Sequence, residues 1–255
     1  MKETYVLSFS IARTGITDDY NTIGIAASVV DKNYNQLDSF EAGCYYNEHG
    51  DCFETKFDEE YKKIFWENKQ ELLNRLKYTD ELDPFDREGE MIREFTKFMT
   101  TWELKTKDAG FLLEIVTDNP TFNAGFINIM ISEHTNTFPL PFTSDGKSRV
   151  LLDTVSQQKG VLSTLCKYSI DPDKYSNIIR KIYNVNDEKY KSVDYLLDTV
   201  YNIAKDQQIL NNIRDDMLNF DVGTFGELNK QLKCESDKIL EVVTEDEVVG
   251  ELVDL

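Results

Sequence analysis

Residues Thr22 to Asp31, TIGIAASVVD, carry no charge until the last position and are rich in β-branched side chains. Such a run reads as a buried strand, because branched side chains fit a pleated, covered surface. The flanking sequence supplies two partners, 4–12 ahead of it and about 36–45 behind it. Between the second and third runs, DKNYNQ is built from turn residues, since Asp and Asn bond their own backbone. Strands 22–31 and 36–45 are therefore expected to form a hairpin. With strand 4–12 they make a three-stranded antiparallel meander.

Downstream the apolar period changes. Phe57, Tyr61, Ile64, Phe65, Leu72 and Leu76 fall at helical spacing, which predicts a helix over 57–77. Met91, Ile92, Phe95, Phe98, Met99 and Trp102 repeat it over 84–103, and Asp83-Pro84 is a good helix start. GFLLEIV at 110–116 reads as a short buried strand. The next segment, DNPTFNAGFINIMISE, begins a helix capped by Asn119 or Asp118 with Pro120 in its first turn. RVLLDTV at 149–155 is strand-like, and DPDKYSNIIRKIY and VDYLLDTVYNIAKDQQILNNIRDDML are helical. The order βββααβαβαα, a meander followed by parallel strands with crossover helices, predicts a ribonuclease H-like α/β fold: a mixed sheet flanked by helices. Residues 1–218 are expected to form this domain, and 219–255 an acidic C-terminal tail. Glu235 to Leu255 hold eight acidic residues and one lysine. That stretch reads as a solvated tail, or as a linear motif for a protein partner.

Charge narrows the function. Asp and Glu number 47 against 28 Lys and Arg, a formal charge of −19. Phosphate contacts supply most nucleic-acid affinity, so this balance disfavours nonspecific binding. No apolar run approaches the ~20 residues that cross a bilayer, and MKETYVLSFS lacks a signal-peptide pattern. An intracellular protein, cytoplasmic or nuclear, is expected, with Cys44, Cys52, Cys166 and Cys234 as free thiols. Cys44, His49 and Cys52 lie close in sequence, but their spacing matches no common zinc motif and a fourth ligand is missing.

Four segments together resemble the DEDD family of 3′–5′ exonucleases, in the branch with a catalytic histidine, over roughly residues 4–215. FSIARTG has the frame of the family's Asp-x-Glu strand, with the following Thr14-Gly15, but presents Ser10 and Ala12. DNPTFNAGFIN matches the second motif at Asn119, Phe122, Gly125 and Phe126, with Asn123 at the metal-ligand position. DYLLDTVYNIA aligns with the third motif and puts Asp194 at the histidine and Thr199 at the aspartate. A register one residue earlier would put Asp198 at the aspartate and Val193 at the histidine. The aromatic pair in IFWENKQELL adds a further likeness.

Family members hold two divalent ions on four carboxylates, which generate hydroxide and stabilise the leaving oxygen. Here Ser10, Ala12, Asn123 and Thr199 carry no charge, and Asp194 replaces the base. The resemblance thus implies a catalytically inactive relative, not an enzyme, without metal or other cofactor and serving a binding or structural role with a protein partner. Asp118 and Asp198 are the weak metal candidates that remain. Two alternatives stand beside it: a divergent exonuclease using Mg²⁺ or Mn²⁺, and a non-catalytic single-strand binder. Relatives of this type occur in cells and in large DNA viruses, and the Asn-, Lys- and Ile-rich wording suits an AT-rich genome. A viral accessory or structural role, associated with the virion, is accordingly among the expectations.

Overall fold

The computed structural model describes residues 3–17, 19–45, 55–77, 84–137, 139–140, 151–154, 156–157 and 196–218. By its packing the chain divides into two compact units, Met1–Thr154 with Lys189–Gln208, and Val155–Glu188 with Ile209–Leu255. The expected helix over 171–183 and the acidic tail, 219–255, lie outside the described residues.

The first unit is an α/β structure built on a five-stranded mixed sheet in the order β3-β2-β1-β4-β5. Its strands are β1 (Thr4–Arg13), β2 (Thr22–Val30), β3 (Gln36–Gly43), β4 (Leu112–Thr117) and β5 (Leu151–Asp153). β1 runs antiparallel to β2, and β2 antiparallel to β3, which is the expected meander. β4 lies parallel to β1, with Ser8 beside Val116, and β5 lies parallel to β4. Every residue of β2 is buried, as its lack of charge required.

The β2–β3 turn is held by its aspartate. Asp31 Oδ1 accepts from the backbone N–H groups of Asn33 and Asn35, and Oδ2 accepts from the Asn35 amide. This arrangement puts Tyr34 at φ 66°, a left-handed conformation that non-glycine residues seldom adopt.

Alternation along β1 divides the core. Leu7, Phe9 and Ile11 face α3 (Pro84–Ala109) and α4 (Pro120–His134), in a cluster with Met91, Ile92, Phe95, Ile115 and Ile127. Residues of the opposite parity face elements on the other side. Ala12 clusters with Trp66, Leu72, Leu76, Leu196 and Val200, while Val6 clusters with Val116, Tyr201 and Ala204. Residues 196–204 belong to the start of α5 (Leu196–Leu218). The helix pairs its beginning with Ala12 and its later turns with Val6, so it runs antiparallel to β1. Ile209, Leu210 and Ile213, in the second unit, are buried.

Two helix expectations need correction. The segment 57–77 is not one helix. It comprises α1 (Glu59–Tyr61), a π-turn over Lys62–Trp66, and α2 (Gln70–Arg75). A π-turn inserts an extra residue and rotates the downstream side chains by about 100° relative to the 3.6 period. Ile64, placed on the apolar face by periodicity, is therefore 72 % exposed, and Trp66 is buried instead. α3 begins at Pro84 as expected but runs to Ala109, past 103. Gly110, at φ 74°, ends it, with backbone bonds from Gly110 to Lys107 and from Phe111 to Thr106.

Gly43 closes β3 against Leu76. A Cβ there would stand 2.3 Å from the Leu76 carbonyl oxygen and 2.5 Å from its Cα, and backbone cannot swing aside. Gly43→Ala should lower stability by roughly 1–3 kcal/mol, measured as a fall in the urea midpoint at unchanged slope. Gly125→Ala, with nothing within 4 Å of its Cβ position, should show no such loss.

Candidate functional site

Most of the described residues singled out by sequence lie on three elements, β1, α4 and α5. Ser10 and Ala12 are on the strand face that meets α5, and both are buried, at 7 % and 5 % exposure. Two residues earlier on the same face, the Ser8 hydroxyl donates to the main-chain carbonyl of Val200. Thr199 is half-buried, on the helical stripe between Leu196 and Val200, and both of those pack in the cluster that holds Ala12. Asp198 is half-buried in the first turn of α5. Asp194 and Val193 lie outside the described residues.

Asn123 lies one strand over. It sits in the first turn of α4, 3 % exposed, at the end of β4. Its amide nitrogen donates to the Thr117 hydroxyl at 2.6 Å and to Asp118 Oδ1 at 2.9 Å. Asp118 directly follows β4, whose pairing with β1 ends at Ser8 and Val116. The helix cap, left open between two residues by the sequence, falls to Asn119, whose side chain accepts from the Phe122 N–H. Asp118 instead braces Asn123.

The Thr14-Gly15 turn has a structural task. Thr14 is fully buried, and its hydroxyl donates to the Lys56 carbonyl at 2.6 Å and accepts from the Asn21 N–H at 3.0 Å. The Asp58 N–H bonds the Thr14 carbonyl. A Cβ at residue 15 would fall 2.3 Å from the Tyr20 ring, so only glycine admits that contact. The aromatic pair also has a defined place. The Phe65 and Trp66 rings meet edge to face at 5.0 Å, and Trp66 Nε1 donates to the Arg13 carbonyl at 3.0 Å.

Arg13 itself was not singled out by sequence. It is 4 % exposed, and its guanidinium carbon lies 3.2 Å from the Phe126 ring centroid and 5.9 Å from that of Phe122. It also donates to the Tyr20 carbonyl. A cation packed against aromatic rings at the end of a core strand leaves no pattern in a single sequence, because Phe122 and Phe126 serve equally well as helix core. Burial, and then the neighbouring Glu133, push the Glu88 carboxyl above the ordinary range, while Arg13 opposes both. Burial also pushes the Cys44 thiol far up. Its S–H donates to the Thr22 carbonyl at 3.2 Å. His49 and Cys52, its sequence neighbours in the discounted zinc reading, lie outside the described residues, as do Cys166 and Cys234. Compared with protein-family models and with curated proteins, the chain matches none.

This geometry predicts two outcomes. Phe126→Leu removes the face on which Arg13 rests and should cost about 2 kcal/mol, read by chemical denaturation. Cys44, half-buried and with its ionisation disfavoured by desolvation, should alkylate much more slowly at pH 8 in the native protein than after urea unfolds it. Peptide mapping by mass spectrometry distinguishes it from the other cysteines.

Proposed function

We propose that the chain is a ribonuclease H-like relative of the DEDD exonucleases that has lost catalysis and serves as a protein-binding or structural scaffold. The strand order, with a meander followed by two parallel strands, supports the fold reading. The observation that carries the functional reading is the packing of Ala12. Where the resemblance implies a carboxylate ligand, a methyl group lies in an apolar cluster with Ile23, Ala26, Trp66, Leu196 and Val200.

These surroundings do not fit a pair of hard dications. Mg²⁺ and Mn²⁺ need several anionic oxygens to offset their dehydration. Ser10, Ala12, Asn123 and Thr199 supply none: the Asn123 NH2 group donates to Thr117 and Asp118, and its amide oxygen carries no charge. Removal of clustered carboxylates also removes their mutual repulsion, so the altered site favours the fold in the absence of metal. A scaffold can keep that gain, whereas a nuclease cannot. The acidic balance favours a protein partner over nucleic acid, and a viral accessory or structural role is compatible with it.

The purified protein with Mn²⁺ should release no nucleotides from labelled single-stranded DNA or RNA. Metal-dependent release that persists through successive purification steps would overturn the reading in favour of a divergent exonuclease. The combined variant S10D, A12E, N123D, T199D should bind Mn²⁺, followed by its paramagnetic signal, and should be less stable than the parent without metal. Capture from lysate before and after nuclease treatment tests the scaffold role. A partner retained after treatment supports it, and recovery of nucleic acid alone points to the single-strand binder.

A further inference from the structure

A second group of side chains joins α3 to α4. Glu88 lies near the start of α3, and Glu133 and His134 close α4. One ligand atom from each lies within 4.8 Å of the other two. The group is separate from the altered site: Asn123 and His134 stand ~16 Å apart along α4, at 1.5 Å per residue.

Three features suit this group to a cation. The first is the seat of the imidazole. Gly89 lies inside α3, where glycine weakens a helix. A Cβ there would stand 2.9 Å from an Arg93 guanidinium nitrogen and 3.1 Å from His134 Nδ1, both tighter than ordinary contact, so glycine makes room for both side chains against the α3 backbone. The second is position: Glu133 and His134 are consecutive at the end of α4, so two of the three ligands stand on one element and Glu88 on α3 supplies the third. The third is charge. Glu88 and Glu133 repel one another, and the C-terminal end of α4 adds its partial negative charge. Positive groups are also near. Arg93 reaches the Gly89 position and bears on His134, and Arg13 bears on Glu88. Asp86 adds a further negative charge on the His134 side.

We propose that Glu88, Glu133 and His134 bind one divalent transition-metal ion, with zinc the best match, and that the ion clamps the start of α3 to the end of α4. An imidazole with two carboxylates is a borderline donor set that suits zinc, whereas magnesium prefers oxygen throughout. Three protein ligands leave one tetrahedral position for water. This site does not depend on the exonuclease resemblance.

Isothermal titration of the full chain with zinc chloride, with magnesium chloride as the control, tests it. One zinc per chain should bind, and His134→Ala and Glu133→Gln should each weaken it by more than about tenfold. Glu133 is exposed, so its glutamine variant keeps the fold and carries the test even if the His134 variant is unstable. Cobalt in place of zinc should give the visible d–d bands of a four-coordinate site without the thiolate charge-transfer bands that cysteine ligation produces. Zinc affinity unchanged in both variants, thiolate bands independent of His134, or no zinc binding would each overturn the proposal.

Discussion

β1 is hydrogen-bonded to β2 from Val6 to Arg13 and to β4 from Thr4 to Ser8, and it is covered on both faces; this enclosure sets the terms for the first unit. A strand so placed cannot leave polar side chains to water, so each needs a partner within the fold. On one face Leu7, Phe9 and Ile11 avoid the problem by being apolar. On the other, Ser8 solves it by donating to the Val200 carbonyl. At the end of the strand, Arg13 and Thr14 solve it with aromatic faces and with the carbonyls of Tyr20 and Lys56. Much of the irregular structure nearby serves the same end. The π-turn over Lys62–Trp66 brings an indole onto the Arg13 carbonyl, and the 56–58 segment folds back onto Thr14.

The meander and the parallel fourth strand were legible because they rest on local signals. An uncharged β-branched run, an Asp/Asn turn and a period that switches from two to 3.6 each have one economical reading. The start of α3 at Pro84 was legible for the same reason, and the cap of α4 was narrowed to Asp118 or Asn119. The break after Tyr61 was not, because a π-turn keeps the composition of a helix and changes only its phase.

The residues at the candidate site divide along the same line. Ser10, Ala12, Asn123 and Thr199 could be singled out because a resemblance supplied their positions. Their surroundings could not, since these depend on contacts distant in sequence. Nothing in Phe126 announces a guanidinium over its ring. Likewise, nothing in the dipeptide Glu133-His134 announces Glu88, which lies on another helix. Gly89 is a local hint, a helix-interior glycine that becomes intelligible once the imidazole and the Arg93 guanidinium are seen against it.

The contacts of α5 bear on the order in which this chain can be made. Ser8 donates to Val200 across 192 positions, and the Tyr201 hydroxyl bonds the Tyr34 carbonyl across 167. The three strands of the meander leave a ribosome early, yet one face of β1 and the left-handed turn at Tyr34 await a helix synthesised much later. Long-range closure of this kind is slow, and a sheet with one bare face invites association with other chains during the wait. The nascent amino-terminal third therefore carries that bare face until residue 204 has emerged.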